Sequence, residues 1–334
     1  MKIGILGAGG WGTALAILLY NKGYKTVLWE YDAAQAENLR KTRKNEKFLP
    51  GVKLPDGLAV TNHIDEAIIE KDFVVFVTPS HTVRSVCEKI KKTGIKKIRF
   101  VNAVKGIENN TLLRMSQVVL DVLPFVGESS IGVLSGPSHA EEVSREVPTA
   151  VVVASYSKDF AKFIQDAFFT NRFRVYQSDD VIGLELGGAL KNVIAIASGI
   201  SDGAGLGDNT KAALFTRGLA EIKRLGKKMG ADDLTFSGLA GIGDLVVTCN
   251  SKLSRNRFVG EQIGKGLKLR DILESMNMVA EGVKTTLSAY NLAQKLKVET
   301  PIIEQVYEIL YNDKDPMEGL NDLMSRTPKH EHWE

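Results

Sequence analysis

The chain has 334 residues, of which 44% are hydrophobic and 25% are charged, and its formal net charge at pH 7 is +3. This composition excludes the extremes of disordered and fibrous chains, and the length suits a globular protein of about two domains. A charge this small gives no reason to expect a nucleic-acid partner.

Signals for targeting, membranes and metals are equally sparse. The N-terminus is typical of a strand entering a glycine turn and has no signal-peptide core. No apolar segment reaches about 18 residues without a charge, so we expect no membrane insertion. Cys87 and Cys249 fit neither a disulfide framework nor a metal site, and the histidines lack ligand spacing. These features predict a cytoplasmic protein without a bound metal.

The first predicted elements form a dinucleotide-binding unit. A strand at 2–6 leads into the sequence Gly7-Ala8-Gly9-Gly10-Trp11-Gly12, and a helix follows at 13–20. In this GxGxxG fingerprint, Gly7 allows the tight turn, Gly9 lets the backbone approach a pyrophosphate and Gly12 permits close helix packing. A second strand at 25–30 ends with Glu30, where a ribose-binding acid is expected. The structural alternative is a glycine turn and an ordinary surface glutamate.

The choice of dinucleotide depends on charges after the second strand. Glu30 favours NAD, because a carboxylate there repels the 2′-phosphate of NADP. A basic cluster that follows is near enough to bind such a phosphate, or it complements a helix C-terminus; it consists of Arg40, Lys41, Arg43 and Lys44.

Further apolar strands are predicted at 72–78, 98–103, 131–134, 150–154 and 173–177, with a helix at 158–169. Ligands of open α/β sheets lie beyond the carboxyl ends of the strands, which makes Lys105 a candidate ligand contact. Ser138 and Glu141 have the spacing of a capping box, and the alternative is that Ser138 faces the ligand. The pattern predicts an α/β fold: a Rossmann-type parallel sheet domain at 1–180 and an all-helical domain at 181–334.

Lys191 lies within the apolar helix predicted at 182–200, away from a hydrophobic stripe that should face a core. Nearby Gly187 and Gly188 either admit a ligand or allow tight helix packing, with the lysine reaching water. Asp244 caps a helix or pairs with a buried cation. The sequence Ser254-Arg255-Asn256-Arg257 suits a phosphate, although it is also typical of a polar helix start.

Eight segments carry a family resemblance: GAGGWGTALA, VTPSH, AVKGIE, SGPSHAEE, GALKNVIAIASGI, GLAGIGDLVVTC, SRNR and VAEGVKT. In order and spacing, the chain resembles NAD(P)-dependent glycerol-3-phosphate dehydrogenases of the bacterial type, from Met1 to about Met324. The resemblance implies that Lys191 accepts the proton of the C2 hydroxyl of sn-glycerol 3-phosphate. It places Lys105, Gly136, Ser138, Asp244, Ser254, Arg255 and Asn256 at the substrate. It places Gly10, Trp11, Ala140, Val279 and Glu281 at the cofactor, which Lys105 and Arg255 also contact.

Three positions depart from the family pattern. Gly10 stands where serine is frequent, Val104 replaces a common serine or threonine, and Tyr31 occupies a position often taken by arginine or histidine. Tyr31 therefore agrees with Glu30 in favouring NAD at the cofactor site. The resemblance implies hydride exchange between glycerol 3-phosphate and dihydroxyacetone phosphate, for phospholipid synthesis.

Two other functions are compatible with the residues alone: a two-domain hydroxy-acid dehydrogenase and a non-catalytic NAD-sensing module. The former needs a carboxylate site, and the latter has no use for Lys191. We expect a homodimer formed through the apolar surface of the helical half.

Overall fold

The computed structural model describes residues 1–276 and 278–331. The chain forms two compact units. The first contains Met1–Lys105 and Leu113–Glu185, and the second contains Gly106–Leu112 and Leu186–Glu334.

One eight-stranded sheet organises the first unit. Its strands are β1 (Lys2–Leu6), β2 (Lys25–Trp29), β3 (Ala59–Thr61), β4 (Phe73–Phe76), β5 (Phe100–Asn102), β6 (Ile131–Ser135), β7 (Thr149–Ser155) and β8 (Phe173–Ser178). Its helices are α1 (Gly10–Asn21), α2 (Ala33–Thr42), α3 (Ile64–Ile68), α4 (Val83–Lys92), α5 (Met115–Val122), α6 (Ala140–Val143) and α7 (Lys158–Phe168).

The strand order is β3-β2-β1-β4-β5-β6-β7-β8, and every neighbouring pair is parallel except β6 with β7. The connection between β6 and β7 carries only the four-residue helix α6, which is too short for the usual parallel crossover. Because β1 lies between β2 and β4, the loops after β1 and β4 leave a topological switch point, where such sheets bind ligands. The predicted Rossmann-type sheet is confirmed.

The sheet is buried on both faces. In β4, Phe73 and Val75 pack into one hydrophobic layer, and Val74 and Phe76 pack into the other. A strand covered on both sides is apolar at every position instead of alternating, as the sequence 72–78 indicated.

The second unit is helical, and no strand follows Ser178 in the described residues. Its helices are α8 (Val181–Gly203, whose residues up to Glu185 belong to the first unit), α9 (Gly207–Lys228), α10 (Asp233–Phe236), α11 (Asp244–Asn250), α12 (Arg255–Gly264), α13 (Leu269–Ser275), α14 (Glu281–Leu296), α15 (Pro301–Tyr311) and α16 (Pro316–Met324). A π-helical turn at Leu239–Gly243 precedes α11. The expectation of an all-helical second half is confirmed.

Helix α8 is buried on all sides, with every residue at positions 183–200 buried. The predicted stripe is buried from Leu186 onward, and the other sides of the helix are buried as well, because residues of α9, α12 and α14 also pack against it. It is the one described helix long and apolar enough to cross a bilayer, and 94% of its most apolar window lies inside the protein.

Glycines bring α8 and α12 into backbone contact. A Cβ on Gly199 would lie 2.0 Å from the carbonyl oxygen of Arg257. A Cβ on Gly260 would lie 2.0 Å from the carbonyl oxygen of Ile196. The helix-destabilising glycines are therefore required by packing, which holds the start of α12 beside the middle of α8.

A buried carboxyl group organises another helix contact in this unit. Glu221 on α9 is 1% exposed and accepts hydrogen bonds from the backbone N–H groups of Ile302 and Ile303 at 2.7 and 3.1 Å. These donors belong to the first turn of α15, which has no side-chain cap of its own. Burial raises the pKa of Glu221 to about 7, although both N–H donors oppose the rise.

Replacing Glu221 with glutamine should reduce the loss of stability at high pH. The raised pKa means that folding favours the protonated acid, so this contribution is complete below the unfolded-state pKa of 4.5 and is lost as the pH rises through about 7. Urea unfolding at about pH 5 and about pH 8 should show the wild type losing about 2 kcal/mol more than Glu221→Gln.

Glu274 provides a matched control, because its side chain is 64% exposed on α13. Glu274→Gln should follow the wild type at both pH values. If the wild type and Glu221→Gln lost the same free energy of unfolding between the two pH values, the raised pKa of Glu221 would be contradicted.

Candidate active site

The glycine turn between β1 and α1 is shaped by contacts that a side chain would break. Gly7 has a φ of +115°, a conformation that favours glycine. A Cβ on Gly12 would lie 1.9 Å from the carbonyl oxygen of Gly7, and one on Gly10 would lie 2.6 Å from that of Phe48. A Cβ on Gly9, in contrast, would meet no atom within 4 Å. The open space beside Gly9 lies where the fingerprint predicts the approach of a pyrophosphate.

Three polar side chains of the first unit each bury an atom that makes no hydrogen bond within the described residues. Nε1 of Trp11, Oγ1 of Thr78 and Oγ of Ser135 have no hydrogen-bond partner among the described residues. Thr78 follows β4 and Ser135 ends β6, while Trp11 lies in the first turn of α1. Since buried polar groups are normally paired and helix N-termini attract anions, these residues fit a dinucleotide.

Ala140 lies against the same turn. Its Cβ would be 3.6 Å from a Cβ added to Gly10. Ala140 therefore lies beside Gly10 of the glycine turn of the first unit.

Glu30 follows β2 and is half-buried. Its Oε1 accepts a hydrogen bond from the backbone N–H of Asp32 at 3.0 Å. Burial raises the pKa of Glu30, and the negative charge of Asp32 adds to the rise. The carboxyl group is thus held at the end of β2, where an acid is expected to bind ribose.

An open groove of about 410 Å³ begins beside the next residue, Tyr31. Tyr31 is 69% exposed, and the Nζ of Lys89 lies 4.0 Å from its ring centroid. Trp29, His63 and Asp65 also line the groove. This arrangement provides aromatic and charged groups next to Glu30.

The basic cluster after Glu30 is largely occupied by local contacts. Arg40 and Lys41 both pair with Glu37, at 2.7 and 3.3 Å. Arg43 is the C-cap of α2 and donates a hydrogen bond to the carbonyl oxygen of Leu58 at 2.7 Å. These contacts favour the structural alternative for the cluster.

Lys105 and Ser138 meet at one backbone carbonyl of the first unit. Nζ of Lys105 and Oγ of Ser138 donate hydrogen bonds to the oxygen of Gly136, at 3.1 and 3.0 Å. The predicted capping box is wrong: α6 begins at Ala140 with His139 as its N-cap and has no side-chain cap. Ser138 lies two residues before the helix, and its hydroxyl group donates to the carbonyl oxygen of Gly136 instead of capping the helix.

In the second unit, Lys191 pairs with Asp244. Both are buried, with 5% and 1% of their surface exposed. Nζ of Lys191 also donates a hydrogen bond to Oγ1 of Thr248 at 2.6 Å, and that hydroxyl group donates to the carbonyl oxygen of Asp244 at 2.6 Å. Lys191 does not reach out to water, and Asp244 is the partner of a buried cation.

Thr248 was not identified from the sequence as a partner of Lys191. It lies one helical turn after Asp244 on α11, so both acceptors face Lys191. The four-residue spacing between Asp244 and Thr248 was the sequence feature that could have indicated that both side chains lie on one face of a helix. Gly187 has a packing role, because a Cβ there would lie 2.6 Å from the carbonyl oxygen of Ala240.

A second polar chain runs from α8 to the start of α14. Nδ2 of Asn256 donates to Oδ1 of Asn192 at 2.9 Å, and Oδ1 of Asn256 accepts from the N–H of Gly282 at 2.8 Å. Glu281 begins α14, and Val279 is 38% exposed just before it. Asn256 therefore joins the lysine helix to the segment that carries two expected cofactor contacts.

The two arginines of the SRNR sequence have different environments. Arg257 pairs with Asp202 at 2.7 Å and is largely buried. Arg255 is exposed, with a contact of 3.9 Å from Nη1 to the sulfur of Met278. Ser254 is the N-cap of α12 and accepts from the N–H of Arg257. Arg255 is thus the arginine available to an anion, and Arg257 supports the helices.

The fold and these residues define an oxidoreductase that uses a nicotinamide dinucleotide. Two family models match the chain: the N-terminus of NAD-dependent glycerol-3-phosphate dehydrogenase over residues 2–161, and its C-terminus over residues 180–321. The chain belongs to this glycerol-3-phosphate dehydrogenase family and is an NAD(P)-dependent oxidoreductase.

Similar proteins extend over the whole chain. The glycerol-3-phosphate dehydrogenase [NAD(P)+] of Geobacter sulfurreducens is 53% identical over 99% of this chain and 99% of its own. That of a Thermoanaerobacter species is 52% identical with the same coverage. The crystal structure of glycerol-3-phosphate dehydrogenase from Coxiella burnetii has a TM-score of 0.93 and 38% identity, covering 97% of this chain and 99% of that one.

Proposed function

We propose that this chain transfers a hydride between NAD(P) and the C2 position shared by glycerol 3-phosphate and dihydroxyacetone phosphate, supplying glycerol 3-phosphate for phospholipid synthesis. The observation that carries the proposal is the buried Lys191–Asp244 pair in a chain of this family. Bound NAD(P) supplies the redox chemistry, whereas the protein must bind, orient and exchange a proton.

Lys191 is the proposed acid and base. As a neutral amine it accepts the proton of the C2 hydroxyl group, and in reduction its ammonium group donates a proton to the carbonyl oxygen. Asp244 and Thr248 accept hydrogen bonds from Nζ and thereby orient it. Asp244 also stabilises the ammonium form that appears during turnover.

Arg255, Ser254 and Asn256 are the proposed phosphate contacts. Arg255 is exposed at the start of α12, where its guanidinium group and the helix N-terminus attract the same anion. Lys105, Gly136 and Ser138 are also proposed to contact the substrate, and Lys105 is proposed to contact the cofactor as well. Phosphate binding then provides energy that positions the reacting carbon.

The hydroxy-acid alternative has only fold-level support. D-mandelate dehydrogenase, solved with NADH, has a TM-score of 0.61 and 15% identity over 96% of this chain and 100% of its own. That likeness shows a shared fold. A non-catalytic sensor does not account for the buried lysine pair.

NAD is the proposed preferred cofactor. The half-buried carboxyl group of Glu30 disfavours a 2′-phosphate, and contacts with Glu37 occupy Arg40 and Lys41. Tyr31 adds no positive charge at the next position.

We also propose a cytoplasmic protein with no membrane insertion and no nucleic-acid partner. Both cysteines are buried thiols outside any disulfide, and the apolar helix α8 lies inside the protein.

Phosphate dependence should identify the substrate. NADH oxidation followed by absorbance should be fast with dihydroxyacetone phosphate and at least about 100-fold slower in kcat/KM with hydroxyacetone or pyruvate, which lack the phosphate.

Arg255→Met should lower kcat/KM for dihydroxyacetone phosphate by about 100-fold. Arg270→Met is the control, because that side chain is 85% exposed and pairs with Glu274. Faster reduction of pyruvate would favour the hydroxy-acid enzyme.

Glu30→Gln should narrow the preference for NADH over NADPH by about tenfold or more, because it removes a charge near the 2′ position. The ratio of kcat/KM values for the two cofactors measures this effect. Since the pKa of Glu30 is raised, the wild-type ratio should also narrow as the pH falls. If Glu30→Gln left the ratio of kcat/KM values for NADH and NADPH unchanged, Glu30 would have no role in selecting the cofactor.

A homodimer is the proposed assembly, because the second unit exposes apolar side chains such as Phe258 at 41% and Leu267 at 49%. Sedimentation at micromolar concentration should give the mass of two chains. A mass equal to one chain would refute the dimer.

A further inference from the structure

A buried hydrogen-bond network in the first unit surrounds the carboxylate of Glu185. Glu185 and Asn102 are 4% and 2% exposed. Oε1 of Glu185 accepts from Nδ2 of Asn102 at 2.9 Å and from the backbone N–H of Ser116 at 2.8 Å. Oε2 accepts from Nη1 of Arg114 at 2.5 Å and from Oγ of Ser116 at 2.6 Å. The carboxylate therefore has four donors and a buried counter-charge.

The carboxylate determines which way the Asn102 amide points. An ionised carboxylate only accepts hydrogen bonds, so it selects the Nδ2 group of Asn102. The amide oxygen is then directed toward the chain and accepts the backbone N–H of Val104 at 3.0 Å. With the amide reversed, two oxygen atoms would face each other, and the N–H of Val104 would face another donor.

The turn at residues 102–104, which the Asn102 side chain holds, leads directly to Lys105. Asn102 ends β5, and its side chain bonds to the backbone two residues further on, which fixes the start of the loop. Nζ of Lys105 then reaches the carbonyl oxygen of Gly136 at 3.1 Å. The direction of this lysine thus depends on a backbone turn that Asn102 secures.

We propose that Asn102 and Glu185 are positioning residues, which fix the turn that aims Lys105 at the substrate. The inference rests on the proposed function of Lys105 at the active site. Neither residue needs to touch the substrate, because each acts through the backbone at Val104.

Asn102→Ala tests the inference against Ser116→Ala. Both residues are buried and bond to Glu185, but only Asn102 reaches the Lys105 turn. Asn102→Ala should lower kcat/KM for dihydroxyacetone phosphate by about tenfold to 100-fold, because a small misplacement of a contacting group is costly. Ser116→Ala should stay within about twofold of the wild type. Equal losses in the two variants would overturn the inference.

Asn102→Asp gives a readout that general destabilisation does not share. When the new carboxyl group is protonated, it donates to Glu185 and accepts from Val104, as the asparagine amide does. When that group is ionised, it repels the carboxylate of Glu185. The activity of Asn102→Asp relative to the wild type should therefore rise as the pH falls from about 8 to about 6. A flat ratio would overturn the inference, and this variant decides the question if Asn102→Ala does not fold.

Lys105→Ala separates the inference from its premise. A Lys105→Ala variant with wild-type kinetics would contradict the proposed function of Lys105 itself. A strongly impaired Lys105→Ala beside a normal Asn102→Ala would contradict the positioning inference alone.

Discussion

The burial of Lys191 depends on the acceptors that α11 provides. An ammonium group removed from water is costly unless it is paired and hydrogen-bonded, and Asp244 and Thr248 supply both conditions. These acceptors are four residues apart, so a single helical turn presents them together. A lysine held in this way has a fixed direction in an interior with little water. The same pairing explains why a charged residue is compatible with the interior of so apolar a helix.

Close backbone packing sets the other groups around that lysine. The glycines of α8 and α12 let the two helices touch, and the contact between Asn192 and Asn256 follows from that approach. Asn256 in turn holds the backbone at Gly282. The first unit uses the same device at its glycine turn, where Gly12 packs against the backbone of Gly7. In both units, residues without side chains allow the close backbone contacts that determine where neighbouring polar side chains lie.

The sequence predicted features that depend on local patterns. The Rossmann-type sheet, the helical second half and the family follow from apolar runs, the glycine fingerprint and ordered motifs. Several features that depend on tertiary contacts could not be predicted from the sequence. Thr248 matters only because α11 packs beside Lys191, and nothing in the SRNR sequence shows that Asp202 engages Arg257 and not Arg255. The capping box failed because the turn at Gly136 takes the hydroxyl group of Ser138. No pattern indicated that residues 106–112 group with the second unit.

Chemical rescue of a lysine variant tests the central claim most directly, namely that Lys191 exchanges the proton at C2. Reduction of dihydroxyacetone phosphate by Lys191→Ala should be about 10²- to 10⁴-fold slower in kcat than in the wild type. Added ethylamine should restore part of the rate in proportion to its concentration, because the cavity left by the lysine admits a small amine beside Asp244. The same amine should not accelerate the wild type. A folded Lys191→Ala that reduces dihydroxyacetone phosphate at the wild-type rate would contradict the account.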